Sequence, residues 1–338
     1  MSGPLIIPVF IPHEGCPHRC LFCNQHQISG QTIGKPVTAA AVQAEIQNWL
    51  ERSNTERGAQ VAFYGGSFTA LPRSRQEELL AAAAPFIEQN LVQSLRLSTR
   101  PDCMDVEQAQ FLQARSVATV ELGVQSMNDE VLTAAKRGHT AAATEQAVVA
   151  LRQVGLEIGI QLLIGLPKDS RATLRRTVEQ VISLQPDFVR IYPLLVVKNS
   201  GLADLYTQGR YTPLSLAKAV LLAAFMKEHF DREGICVVRM GLQAGVELEA
   251  SLLAGPWHPA FGELVASRLM LRQTRKLLAQ AKTEAVRLSI NDRDQSVFRG
   301  MKSANIERLR QLGLWQRISL VIDKKQLRYT VNNTHNRS

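Results

Sequence analysis

A chain of 338 residues is long enough to bury a sizeable core, either as one large α/β barrel or as two domains. With 45% hydrophobic and 20% charged residues it has an ordinary globular composition, and no apolar run reaches the roughly 18 residues that span a bilayer. The N-terminus (MSGPLIIPVFIP) lacks the basic start of an export signal, so a cytoplasmic protein is expected, and its net charge of +9 suits an anionic partner such as RNA as well as a merely basic solvated surface.

In chain order, strands are predicted over residues 5–11, 60–64, 94–99, 119–124, 157–164 and 188–195. Helices are predicted over residues 39–52, 74–90, 106–114, 140–154, 172–184 and 214–233. Six strand–helix units in a row argue for a parallel sheet with right-handed crossovers, as a partial barrel or a doubly wound open sheet. Past Glu233 the pattern weakens. Residues 237–242 read as a further weak strand, 260–281 as a long helix, and 285–291, 303–312 and 318–323 as a small β-α-β appendix. A division into residues 1–245 and 246–338 is expected. The segment GPWHPAFGE (residues 255–263) reads as an ordered loop, a lid over a barrel mouth or a structural connector.

Five cysteines make an odd number, and three fall within eight residues directly after the first predicted strand: Cys16-Pro-His-Arg-Cys20-Leu-Phe-Cys23. Such clustering is no disulfide framework and points to metal. An iron–sulfur cube normally takes four thiolates, so three leave one iron open to a substrate or cofactor. Cys103 and Cys236 lie far along the chain. Zinc completed by His13, His18 or His26 is the alternative, although a second knuckle at the usual distance is missing.

The spacing Cys-x3-Cys-x2-Cys, with Phe22 before the last cysteine, resembles the signature of the radical S-adenosylmethionine (SAM) superfamily. That resemblance implies a 4Fe–4S cluster whose open iron chelates SAM, an electron donor of flavodoxin or ferredoxin type, and cleavage of SAM to a 5′-deoxyadenosyl radical that abstracts hydrogen. It also selects the fold: α/β, a partial (β/α)6 barrel of TIM type with a smaller C-terminal appendix. Phe63-Tyr64-Gly65-Gly66 resembles the family's glycine motif for the SAM amino group, with Ser67 where Glu is frequent. Gln125 and Arg137 match a family glutamine and the arginine near the SAM carboxylate. Ser98 and Gln161 fall where some members carry ribose-binding Glu and Asp. From the residues alone, Glu121, Gly123 and Gln125 share one strand face, so Glu121 serves either a ligand or a buried hydrogen-bonded pair. Arg190 and Tyr192 likewise share a face of the last strand.

Further segments are similar to the elongator catalytic-subunit family, which modifies wobble uridines of tRNA: Thr99-Arg-Pro-Asp102, Glu121-Leu-Gly-Val-Gln-Ser126, Lys136-Arg-Gly-His-Thr140, Gly165-Leu-Pro167 and Ile191-Tyr-Pro-Leu-Leu195. The resemblance covers residues 5–245 and makes tRNA the suggested substrate. Three departures stand against full transfer: the cysteine spacing is shorter, residues 250–338 are too few for an acetyltransferase domain, and Cys103 and Cys236 do not supply that family's extra zinc set. An anaerobic coproporphyrinogen-oxidase-like enzyme and a non-catalytic iron–sulfur RNA-binding or sensor protein are the rival readings. Residues 30–35 imitate a P-loop but lack one residue between the glycines, and Pro36 replaces Ser/Thr.

Overall fold

A computed structural model of the chain describes residues 4–11, 14–24, 36–53 and 58–334. The P-loop-like residues 30–35, His13 and His26 lie outside these. The elements run β1 (Leu5–Phe10), α1 (Ala39–Arg52), β2 (Ala59–Tyr64), α2 (Arg73–Glu88), β3 (Ser94–Thr99), α3 (Val106–Gln113), β4 (Val117–Gln125), α4 (Asp129–Ala134), α5 (Ala141–Gln153), β5 (Glu157–Ile164), α6 (Arg171–Leu184), β6 (Phe188–Pro193), β7 (Val196–Val197), α7 (Gly201–Thr207), α8 (Leu216–Arg232) and β8 (Cys236–Met240). Then come α9 (Val246–Ser251), β9 (Leu252–Ala254), α10 (Phe261–Gln280), β10 (Val286–Ile290), α11 (Gln295–Arg299), α12 (Ala304–Gln311), β11 (Ile318–Ile322) and β12 (Asn332–Asn333). Every predicted strand and long helix falls on one of these within two residues at either end.

Seven strands pair in the order β1-β2-β3-β4-β5-β6-β8, each with its neighbours in parallel. The weak strand predicted after Glu233 is thus a seventh member, beside β6. The sheet is curled into a half-barrel. β2 and β6 are four strands apart, about 19 Å if flat, yet Nη2 of Arg190 on β6 reaches the Tyr64 hydroxyl on β2 at 3.0 Å. Only closure of the sheet around its inner face allows that contact.

The outer face is apolar. Ile7 and Val9, Val61 and Phe63, Leu95 and Leu97, Val120 and Leu122, Ile158 and Ile160, and Val189 and Ile191 meet the helices in one core. Each such side chain contributes about 1.5–3 kcal/mol on full burial. The helices start where the sequence supplies a cap: the side chains of Thr38, Asp105, Thr140, Ser170 and Ser215 each accept a first-turn backbone N–H. The inner face is polar, carrying Gln60, Tyr64, Arg96, Glu121, Gln161 and Arg190.

The small sheet has the order β11-β10-β12. β10 and β11 are parallel, as the β-α-β reading requires, and β12 returns antiparallel. Helix α10 joins the two parts, with Phe261 and Val265 in the main core and Ala266 and Met270 in a second cluster around Leu288 and Phe298. Residues 255–263 follow β9, which pairs antiparallel with β7 just past the end of β6. Trp257 packs there against Leu195, Val197 and Leu248, so this loop is tied to the mouth of the half-barrel. Among the described residues no helix is long and apolar enough to cross a membrane.

Candidate active site

The C-terminal ends of parallel strands lie at one edge, where such barrels place their ligands. The cysteine loop follows β1, Gly65 and Gly66 follow β2, Arg100 follows β3, and Gln125 ends β4. The loop is anchored at both sides: Leu21 N donates to Ala135 O at 3.0 Å, and Leu202 N donates to Leu21 O at 2.7 Å. Asn24 Nδ2 donates to Lys198 O at 2.9 Å. Glycine is demanded at two points, by close backbone approach at the first and by its positive φ at the second. Gly66 has φ +51, and a Cβ there would lie 2.2 Å from Glu14 O and 2.7 Å from Ile11 O. Gly138 has φ +72, and its Cβ would strike the His18 ring at 2.4 Å.

Cys16, Cys20 and Cys23 are half-buried, and no disulfide joins any of the five cysteines. Arg137 Nη1 donates to Cys20 Sγ at 3.1 Å. Burial and the neighbouring Cys20 push the Cys16 thiol up to about 11, against the pull of Arg100 and Arg137. Metal binding would therefore displace a proton there. Among the described residues no three His, Cys, Asp or Glu side chains gather around a single metal position. One zinc ion needs all its sulfurs about 2.3 Å from one point, whereas a four-iron cube spreads its thiolates over separate irons. The three-thiol donor set and the cationic partner of Cys20 fit a cube. Cys103 is distant in sequence but folds close enough for its charge to be felt at Cys16 and Arg100. Cys236 is exposed at the opposite end of the sheet, at the start of β8.

Arg137 is fixed from three sides. Besides Cys20 it donates through Nη2 to Gly123 O and through Nε to His139 Nε2 at 3.3 Å. Burial and the adjacent Arg137 charge lower the His139 pKa to about 4, so the ring is neutral at pH 7. Nε2 then accepts, and Nδ1 carries the proton toward Thr140 O at 3.2 Å. Arg100 is held differently, clamped on Asp102 by bonds of 3.0 and 2.8 Å.

A bulge between Leu122 and Gln125 breaks the alternation that would have aligned Glu121, Gly123 and Gln125. Gln125 sits at φ +70, a strained region for a non-glycine residue that typically costs about 1–3 kcal/mol. Its amide returns to Gly123, where an added Cβ would meet Gln125 Nε2 at 3.1 Å, Arg137 Nη2 at 3.4 Å and Thr99 O at 3.5 Å. The glycine leaves a notch so tight that even a methyl group would press on two donors and one acceptor. Ser67, standing where the family often has Glu, is buried and turned inward. Its hydroxyl lies 3.0 Å from Thr99 Oγ1 and accepts from Arg100 N at 3.3 Å.

Glu121 is fully buried below the notch. Oε1 accepts from the Tyr64 hydroxyl at 2.9 Å, Arg96 Nη1 at 3.1 Å and Arg190 Nη2 at 2.9 Å. Oε2 accepts from Gln161 Nε2 at 3.0 Å and faces Arg190 Nε at 2.8 Å. Of its two sequence readings, the buried hydrogen-bonded one is what the contacts display. Gln161 is thereby engaged below the mouth, and Ser98 lies beside Glu121 in register, half-buried. Burial and the Glu121 charge raise the Tyr64 pKa well above its ordinary value. Arg96 escapes a motif reading, and His139 lies inside the Lys136–Thr140 segment without a role assigned to it there. The signal for Arg96 was a single charge on the inward face of an otherwise plain strand, SLRLST.

Comparison with known proteins identifies the family and the fold. The Radical SAM superfamily model matches residues 10–181, and the Radical_SAM C-terminal domain model matches residues 186–270. Protein YhcC of Escherichia coli strain K12 is 31% identical over 237 residues, covering 65% of this chain and 73% of that protein. The tRNA uridine(34) acetyltransferase of Methanocaldococcus infernus is 25% identical over 266 residues, 67% of this chain and 50% of that protein. The chain thus spans about half the length of the acetyltransferases it matches. The archaeal Methanocaldococcus infernus Elp3 with an N-terminal deletion superposes with a TM-score of 0.63 at 22% identity. That superposition covers 80% of this chain and 63% of the other, and it establishes the fold.

Proposed function

We propose that this chain, which belongs to the radical SAM superfamily, is an RNA-modifying enzyme. It holds its 4Fe–4S cluster on Cys16, Cys20 and Cys23 and its SAM against Gly65, Gly66, Gln125 and Arg137. Bound there, the cluster supplies the electron that splits SAM into methionine and a 5′-deoxyadenosyl radical for hydrogen abstraction. The chain's own residues do the rest. Arg137 neutralises thiolate charge at Cys20 and orients a planar fork toward the notch at Gly123. Gln125, locked by its left-handed backbone, offers an amide to the same space. Gly66 lets the backbone approach without a side chain between. The Glu121 carboxylate closes the floor beneath, its oxygens taken up by Tyr64, Arg96, Gln161 and Arg190.

The observation that carries this reading is the convergence of Cys20 Sγ, Gly123 O and His139 Nε2 on one guanidinium beside the cysteine loop. An RNA substrate, and tRNA within it, is supported by the basic net charge and by the tRNA uridine(34) acetyltransferases among the relatives. The test is anaerobic reconstitution with iron and sulfide, reduction by dithionite with SAM, and measurement of 5′-deoxyadenosine with and without bulk tRNA. Cleavage stimulated by tRNA is expected. Cys20→Ala should lose both the cluster absorbance and 5′-deoxyadenosine, and retained cleavage in that variant would sink the ligand assignment.

A further inference from the structure

Charge is distributed very unevenly along the chain. Residues 261–338 hold 16 of the 39 lysines and arginines but only 6 of the 30 aspartates and glutamates, an excess of +10. Residues 1–260 are left at −1, so the basic character of the molecule belongs to its C-terminal part. Most of that part, beyond residue 270, lies outside both family matches.

The structure gathers some of this charge in one place. Arg268, Arg272 and Arg275 follow each other at helical spacing on α10 and share a face. Asn305 is buried at the start of α12 and staples it to α10, its Nδ2 donating to Ser267 O at 3.1 Å and reaching Ser267 Oγ at 2.9 Å. One turn later α12 presents Arg308 to the same cluster. Burial and the charges of Arg272, Arg275 and Arg308 depress the Arg268 pKa, a sign of like charges held together. Arg272 has a counter-charge, Glu228 on α8 at 2.8 Å. Among the described residues no carboxylate lies within ion-pairing distance of Arg268, Arg275 or Arg308, and Arg268 Nε is buried without a hydrogen-bond partner.

We propose that the arginine cluster of α10 and α12 is the docking surface for the phosphate backbone of a folded RNA. The inference rests on the RNA substrate proposed above and adds where that substrate is gripped. Guanidinium forks suit phosphate oxygens, and unpaired ones carry no ion pair to break first. A bilayer surface fits less well, because the apolar side of α10 (Val265, Ala266, Met270, Leu271, Leu278) is already buried inside the protein. The position also sets the size of the ligand. Phe261 opens α10 against Gly241 at the mouth end of β8. At 1.5 Å per residue, Arg268 and Arg275 lie about 10 and 21 Å along the helix from that point. A single nucleotide in the mouth does not reach them, whereas a folded RNA covers both.

The experiment measures binding of bulk tRNA to the reconstituted holoenzyme across about 50–200 mM salt, the range over which phosphate contacts are most visible. Arg275→Ala/Arg308→Ala removes two exposed arginines of the cluster, and Arg175→Ala/Arg176→Ala on α6 removes the same charge elsewhere. The cluster variant should bind about tenfold more weakly and flatten the salt slope by about 2, one per phosphate contact. The α6 variant should match the wild type, and 5′-deoxyadenosine formed without RNA should be equal in all three. Undiminished tRNA binding by the cluster variant, or equal losses in both variants, would overturn the docking surface while leaving the RNA reading intact. Wild-type protein that cleaves SAM yet binds no tRNA would overturn both. Binding to phosphatidylserine vesicles in place of tRNA would transfer the patch to a membrane.

Discussion

Two polar regions share the inner side of the half-barrel, and they are built on opposite terms. Around Glu121 every charge is answered: one carboxylate takes Tyr64, Arg96, Gln161 and Arg190 from four different strands. One layer higher, at Gly123, the Gln125 amide and the Arg137 guanidinium close tightly on the backbone, and Arg137 reaches on to Cys20 Sγ. Paired polar groups inside a protein hold a shape, whereas donors gathered at the strand ends beside the cysteine loop stand where the ligand is proposed to bind. The lower region should therefore answer to stability measurements and the upper one to SAM.

The largest expected effect comes from the floor. Glu121→Ala strands Arg190 without a counter-charge, leaves Arg96 only Glu157 at 3.6 Å, and should cost about 3–5 kcal/mol in denaturant unfolding. An unaltered unfolding midpoint with lost SAM cleavage would merge the two regions into one site. In the notch, Gly123→Ala adds a methyl group 3.1 Å from the Gln125 amide. Half-saturation by SAM should rise about tenfold, equivalent to about 1.4 kcal/mol, with unfolding nearly unchanged. Stability loss without a SAM effect would make the notch mere packing.

Acid should separate the regions again. His139 has its pKa lowered from 6.5 to about 4, so the unfolded chain binds the extra proton first. Stability is then fully present above pH 6.5 and declines as pH falls toward 4. His139→Asn should flatten that decline in a pH series of thermal unfolding, and an unchanged slope would assign it to other groups. The smallest effect is expected from Tyr64→Phe, which removes one of several donors to Glu121. A loss of about 0.5–1.5 kcal/mol is anticipated, with the SAM dependence of cleavage untouched.

Much of this was readable in advance, and unevenly so. The cysteine loop, Gly65–Gly66, Gln125 and Arg137 are short motifs of neighbouring residues, which a sequence displays without any knowledge of the fold. The seventh strand was faint because β8 is an edge strand with Cys236 and Val238 exposed, which erases the hydrophobic run. β7, β9 and β12 span only two or three residues, too few for any period to show.

By itself the sequence determined the parallel order of strands and helices, the three thiols and the β-α-β appendix, all of which depend on local spacing and periodicity. Tertiary structure alone decided that Glu121 is spent on the floor, that Arg137 meets Cys20, and that Arg308 completes a cluster with Arg268, Arg272 and Arg275. Those pairings join residues on different elements. Their partners are set by the curl of the sheet, the bulge in β4 and the packing of α12 on α10, none of which leaves a periodic trace in the chain.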